Sequence, residues 1–278
     1  MKNYLSFDIE DWFQVPFASR DVNRSDWETL QSNVVDGTQT ILDLLSRRRV
    51  SATFFIVGWI AERHPDLVRR IADGGHEIGS HSYAHRPLDE LSPEELDKDT
   101  ALSVEILTHV TGQKPRGYRA PMGSIGDDNA WAIDILRKNG VRYDSSIYPS
   151  SPFVYSGMRG AKAAPFEIAN GLWEVPLSAE TIAGLPIPLS GGFYLRLASP
   201  GVFQWLMKRK NARGESCVLY YHPWEFSTSY PRPIRNLPKR FIQYHNLDSV
   251  TPKLDRLLSS FEFGPLIDAL PKDVAAAA

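Results

Sequence analysis

Short unbroken apolar runs along this chain are separated by longer stretches in which apolar side chains recur at helical spacing. Tyr4 to Ile9 predicts a strand that ends among acids. Ala52 to Val57 is apolar throughout, as a parallel strand covered on both faces must be. His76 to Ser80, Gly117 to Arg119, Val141 to Asp144, Leu172 to Val175 and Val218 to His222 predict further short strands. Helices fall between them. Val34 to Arg49 carries Ile41, Leu44 and Leu45 on one stripe, and Pro65 to Asp73 is amphipathic and halts at Gly74-Gly75. Ser92-Pro93-Glu94-Glu95 supplies an N-cap, a proline at the first helical position and acids in the first turn of a helix that runs to about Thr111. Asn129 to Asn139 and Pro200 to Arg213 predict two more, each followed by a glycine.

Strands that alternate with helices in this way predict parallel βα units. A closed or partly closed βα barrel accounts for the pattern better than an open sheet, because the chemically useful residues gather at the ends of several different strands. No Gly-x-Gly-x-x-Gly follows the first strand, and neither a phosphate-binding loop nor a fixed-period repeat is present. Pro149 to Pro188, rich in Pro, Gly and Ser, reads as a long excursion, and Pro231 to Pro238 as an extended arm. Thr251 to Phe263 predicts a terminal helix with Leu254, Leu257, Leu258 and Phe261 inward. The expected division is a barrel over residues 1–228 and an extension over 229–278 packed against it.

With 278 residues, 42% hydrophobic and 23% charged, the chain can bury a large core as one unit. Its net charge of −2 excludes a global field that recruits nucleic acid or an anionic membrane. The basic runs Arg47-Arg48-Arg49 and Lys208-Arg209-Lys210 sit at predicted helix ends, where cations suit the dipole. The single Cys217, inside an apolar run, excludes an intramolecular disulfide and a Cys-rich zinc site and reads as a core thiol. No apolar run is long enough to span a membrane and no signal peptide is visible, so the expected location is the cytoplasm.

Candidate chemistry lies at the predicted strand ends. Asp8, Glu10 and Asp11 close the first strand, His81 and His85 follow the third, and Arg119, Asp144 and His222 close later ones. A bare His-x-x-x-His is more often a surface or loop pair than a ligand pair. Such groups at five strand ends, facing one end of a barrel, point to function instead. Two neutral imidazoles four residues apart can reach one divalent cation, and a carboxylate as third ligand leaves positions for water.

The ordered set Phe7-Asp8 with Asp11, Gly75 through His85 (Gly-His-Glu-Ile-Gly-Ser-His-Ser-Tyr-Ala-His), Arg119-Ala120-Pro121, Asp144-Ser145-Ser146 and Tyr221-His222 resembles the NodB-homology polysaccharide deacetylases, carbohydrate esterase family four. The resemblance covers most of residues 3 to 225. His222 to Phe226, Pro231-Arg232-Pro233, Phe241 to Asn246 and Lys253-Leu254 resemble one subgroup, found with bacterial exopolysaccharide synthesis and exosortase-linked loci. This implies a distorted (β/α)7 barrel that hydrolyses N-acetyl, sometimes O-acetyl, groups of sugar polymers. It implies that His81 and His85 hold Zn²⁺ or another divalent ion with a carboxylate from the first motif. Asp8 is then the general base, Arg119 its partner, the Met122 backbone N–H an oxyanion donor, His222 the general acid and Asp144 the partner of that imidazole.

Two departures from the family pattern stand out. The family's first motif has adjacent aspartates, whereas Ile9 follows Asp8 here. Glu10 shares a strand face with Asp8 and can serve as the ligand; if the chain turns after Ile9, Asp11 takes that place. Met122 replaces a usual aromatic. Trp12, Phe13, Tyr148 and Trp224 can stack on sugar faces or pack in the core. The implied partners are an acetylated glycan, free, lipid-linked or nascent, and the exopolysaccharide synthesis machinery. Hydrolysis of a cyclic amide such as allantoin or a cyclic imide, and a catalytically silent glycan-binding scaffold, are the alternatives on this fold.

Overall fold

β1 (Lys2–Ile9) is buried over most of its length because it pairs along both edges. The computed structural model describes residues 1–15, 22–149, 158 and 161–276. β1 is followed by β2 (Thr53–Ile56), β3 (Glu77–Ser80), β4 (Gly117–Tyr118), β5 (Tyr143–Asp144), β6 (Phe166–Ala169), β7 (Leu172–Glu174), β8 (Ala179–Ile182), β9 (Leu185–Pro188), β10 (Val218–Tyr221) and β11 (Glu262–Gly264). The main sheet has the order β10-β1-β2-β3-β4-β5-β7, parallel throughout, with β6 antiparallel on the outer edge. After β7 the chain curls back, and the Ser178 and Gly191 N–H groups donate to the Val218 and Tyr220 carbonyls of β10, each at 3.2 Å. Seven parallel strands therefore bend into a βα barrel, as the alternation predicts, with the distortion that the resemblance implies.

Helices cover the outside: α1 (Val34–Arg48), α2 (Gly58–Arg63), α3 (Pro65–Asp73), α4 (Pro93–Thr111), α5 (Ala132–Lys138), α6 (Gly192–Leu197), α7 (Pro200–Ala212), α8 (Leu237–Tyr244) and α9 (Val250–Ser260). Ile41, Leu44 and Leu45 of α1 and Leu67, Val68 and Ile71 of α3 pack with Phe7, Phe54 and Ile56 of the strands in one core. α4 begins at a reciprocal cap, with Ser92 Oγ accepting from Glu95 N–H and Glu95 Oε2 from Ser92 N–H, and ends at Gly112 with φ 72°. Within the excursion Pro149 to Pro188, residues 150–157, 159 and 160 lie outside the described residues. The remainder forms β6–β7 and the separate β8–β9 hairpin, through two-residue turns at Asn170-Gly171 and Ala183-Gly184 with positive φ throughout.

The expected terminal helix stops at Ser260 rather than Phe263. Glu262–Gly264 instead pairs with Lys2–Tyr4, the part of β1 that β2 leaves uncovered, and so satisfies an open strand edge. The chain then crosses the barrel at the strands' starting ends. Leu266 N–H donates to Thr53 Oγ1 at 2.7 Å and Ile267 N–H to Glu77 Oε2 at 3.1 Å, while Leu266 and Leu270 pack with Phe55, Tyr143 and Val218. One end of the barrel is thereby stoppered. The other carries the polar groups.

Candidate active site and metal centre

Asp8 is the next-to-last residue of β1, His81 follows β3, Arg119 follows β4 and His222 follows β10. Parallel pairing brings these ends together, and Glu10 joins them from just beyond β1. Asp8, Glu10, His81, His85 and Arg119 are each at most 3% exposed. Ionisable groups this deeply buried persist only with partners.

Glu10 faces both imidazoles. Its Oε2 lies 2.7 Å from His85 Nε2 and 4.0 Å from His81 Nε2, and the two Nε2 atoms are 3.2 Å apart. His81 Nδ1 lies 2.7 Å from the Arg119 carbonyl oxygen, which can only accept, so Nδ1 carries the proton and Nε2 presents a lone pair. A loop, not a helix, carries His85: Ser82 and His85 have φ of 61° and 50°, and the Tyr83 and Ala84 N–H groups donate to the Asp99 carboxylate at 2.8 and 2.9 Å. Two imidazole nitrogens and one carboxylate oxygen, all within 4.8 Å of one another, form a donor set that suits zinc or a similar divalent ion. Burial opposes the charge on Glu10, yet His85, His222 and His81 hold its carboxyl down at about 2. Burial also brings His81 down to about 4 against the pull of Asp8, leaving the neutral form that ligates metals.

Arg119 Nη1 donates to Asp8 Oδ1 at 2.6 Å and to Ser6 Oγ at 2.9 Å, and its other nitrogens reach the carbonyl and hydroxyl of Ser145. One Asp8 oxygen is thus held. The other, Oδ2, lies 4.0 Å from Nε2 of both His81 and His222. Removing either member of such a buried pair strands a charge, at a cost of about 3–5 kcal/mol.

His222 Nε2 lies 3.5 Å from Glu10 Oε1, and its ring stacks on Trp224 with centroids 5.3 Å apart. Nδ1 meets Glu225 Oε2 at 3.2 Å. Burial works against the imidazolium, but Glu225, Glu10 and Asp8 raise it to about 9. Glu225 is itself gripped, with Oε1 3.3 Å from Arg196 Nε. A Cβ on Gly192 would fall 1.7 Å from that Oε1, so only glycine fits against the carboxylate. Arg196 also donates to the carbonyls of Ile242, Gln243 and His245 at the end of α8. Lys253 does the same for Leu195, Arg196 and Ala198 at the end of α6. Two cations thus close two helix ends, and one of them, Arg196, also holds the partner of the imidazole.

One expected placement is corrected, and the alternatives left open are resolved by position. Asp144 does not reach His222 but stands across the β5–β7 pairing from Glu174 and accepts from Ser146 Oγ at 2.8 Å. Burial raises Asp144 to about 6 and pushes Glu174 well up as well, so this pair retains a proton. Asp11 turns away after Glu10, its carboxylate accepting from Ser32 Oγ and from the N–H groups of Trp12 and Asn33 at the start of α1. Trp12 and Phe13 are core, packed with Trp27, Tyr230 and Trp59. Met122, with φ 58°, Tyr148 and Trp224 line a pocket of about 260 Å³ together with Asp8, Glu10, His81 and His85. Glu225 and Arg196 were not among the expected site residues, although an acid three positions after His222 was a readable signal.

Residues 26–143 match the model of the polysaccharide deacetylase family. The chain carries a polysaccharide deacetylase domain. A second match, to a domain of unknown function (DUF3473), spans residues 145–270 and contains His222, Glu225 and Arg196. The chain is 34% identical over 120 residues to a peptidoglycan-N-acetylglucosamine deacetylase of Bacillus cereus, covering 39% of this chain and 44% of that one. It is 33% identical over 100 residues to a chitooligosaccharide deacetylase of Bradyrhizobium sp., covering 36% and 43%. The match therefore spans less than half the length of these curated relatives. The barrel superposes on a candidate polysaccharide deacetylase from Mycobacterium smegmatis (TM-score 0.60, 23% identity, 95% of this chain and 85% of that one). It also superposes on a family 4 carbohydrate esterase from Streptomyces lividans in complex with acetate (0.52, 16%, 95% and 91%). A CE4 family pseudoenzyme from Bacillus anthracis shares the fold as well (0.51, 17%, 98% and 66%). Side chains, not the barrel, must carry the case for activity.

Proposed function

We propose that this deacetylase domain hydrolyses the N-acetyl group of an N-acetylated sugar in a glycan or its precursor. The observation that carries the reading is the placement of Asp8 and His222 beside one donor set, with Asp8 tied at one oxygen and His222 kept charged by Glu225. An amide is a poor electrophile and needs both a base for the water and an acid for the nitrogen. Asp8 Oδ2 takes a proton as the water oxygen adds to the carbonyl carbon. His222 Nε2 then delivers its proton to the amide nitrogen as the carbon–nitrogen bond breaks, releasing acetate and a free amine. Arg119 keeps Asp8 oriented, and Glu225 keeps Nδ1 protonated and Nε2 aimed at the pocket. Glu10, His81 and His85 would hold the divalent cation, zinc in our proposal, whose charge acidifies water and steadies the developing oxyanion. The resemblance of the segments from His222 to Lys253 supports a role in exopolysaccharide synthesis.

Acetate release from N-acetylhexosamine oligomers, measured with zinc and after chelation, tests the reading. Release is expected only with metal. His81→Ala should lose bound metal, whereas Asp8→Asn should keep it and lose about 10²–10⁴-fold in kcat. Full activity in Asp8→Asn, or no release from any acetylated glycan, would overturn the assignment.

A further inference from the structure

The pocket is bordered by an apolar, cationic edge that the hydrolysis does not use. Leu237 is 76% exposed and Phe241 48% exposed, four residues apart and so on one face of α8. Phe241 packs against Phe193, with ring centroids 6.2 Å apart, and Leu197 at the end of α6 is 55% exposed. Phe193 and Ile242 line the pocket, so this edge adjoins its mouth. Large apolar side chains grouped at a surface mark something that covers them.

Charge follows the same segment. From Phe226 to Leu247 the chain carries Arg232, Arg235, Lys239 and Arg240 and no acid, although the whole chain has a net charge of −2. Arg232, Arg235 and Arg240 are exposed, and among the described residues no carboxylate pairs with them. We propose that this edge docks on an anionic membrane surface, with Leu237, Phe241 and Leu197 entering the boundary between headgroups and acyl chains and the arginines meeting lipid phosphates. A sugar polymer fits less well, because Leu237 and Leu197 gain from hydrocarbon and offer a sugar face no stacking, and the Phe241 ring already stacks on His245. A second copy would set like-charged arginines against one another. For the deacetylase reading, the consequence is a glycan carried on a lipid and presented at the pocket mouth. That consequence rests on the proposed hydrolysis; the docking itself does not.

Sedimentation of the full chain with vesicles tests the docking. Phosphatidylglycerol–phosphatidylcholine vesicles should bind it about tenfold or more tightly than phosphatidylcholine alone, and added salt should release it. Arg235→Ser with Arg240→Ser should lower binding to the anionic vesicles by about tenfold or more, and Leu237→Ser should lower it severalfold at unchanged charge. Hydrolysis of a short soluble acetylated oligomer should be the same in all of these proteins. Absence of vesicle binding, or equal binding by parent and variants, would overturn the proposal. So would a dimer that Leu237→Ser dissociates, or retention on an acetylated glycan matrix that the variants abolish while vesicles bind nothing. Vesicle binding without acetate release would uphold the docking and count against the hydrolytic reading alone.

Discussion

Glu225 takes the place that Asp144 was expected to fill beside His222, and the exchange has a measurable consequence. Asp144 and Glu225 both lie in the chain near motifs, but only Glu225 is in the same tight turn as the imidazole, three residues on. A carboxylate at Nδ1 favours the imidazolium, so the acid form prevails below about 9 and is lost as pH rises through that value. Glu225→Gln keeps an acceptor but removes the charge, which lowers the imidazole pKa. The alkaline limb of the kcat profile should move down by about one pH unit relative to the parent, each measured with the same metal, and kcat should fall. A cation on Glu10 lowers the limb in both proteins and leaves the difference. An unmoved limb would return the imidazole's partner to another group. At this scale the sequence already singled out His81, His85, Asp8 and His222, which the fold brings together, because their spacing sits inside contiguous motifs. It could not choose between Glu10 and Asp11, because the choice depends on where the chain turns after β1.

Whether an element's ends are legible depends on what ends it. α4 is closed by its own residues, the Ser92–Glu95 cap and Gly112, and its bounds could be read directly. Ser92→Ala should cost about 1 kcal/mol in a denaturant melt and leave kcat unchanged, since the cap lies outside the pocket. α9 ends for a tertiary reason, because an unpaired stretch of β1 claims Glu262–Gly264. α6 and α8 were never candidates as site elements, yet each is sealed by a buried or half-buried cation from elsewhere in the chain. Arg196 and Lys253 carry no local signature of that task; only their contacts reveal it.

The whole molecule is a barrel with one end stoppered and the buried polar cluster at the other. Leu266 is fully buried between Phe55, Tyr143 and Leu270 although it lies past the last helix expected to matter. Leu266→Ala should destabilise the protein by about 2–5 kcal/mol in a urea melt while metal binding at the far end persists in the folded fraction. A loss below about 1 kcal/mol would show that the C-terminal segment only decorates the barrel.

The parallel βα alternation, the run of ligand-grade residues at strand ends and the core stripes of the helices were determined by the sequence itself, because each depends on residues close together in the chain. Tertiary structure alone decided which carboxylate faces both imidazoles of the His81–His85 pair, which one meets His222, and what closes the opposite end of the barrel. Those outcomes follow from strand register and loop direction, which bring together groups up to hundreds of residues apart, such as Arg119 with Asp8 and Leu266 with Thr53. Burial then makes each pairing obligatory, since an ionised or hydrogen-bonding group in the interior must find its partner there.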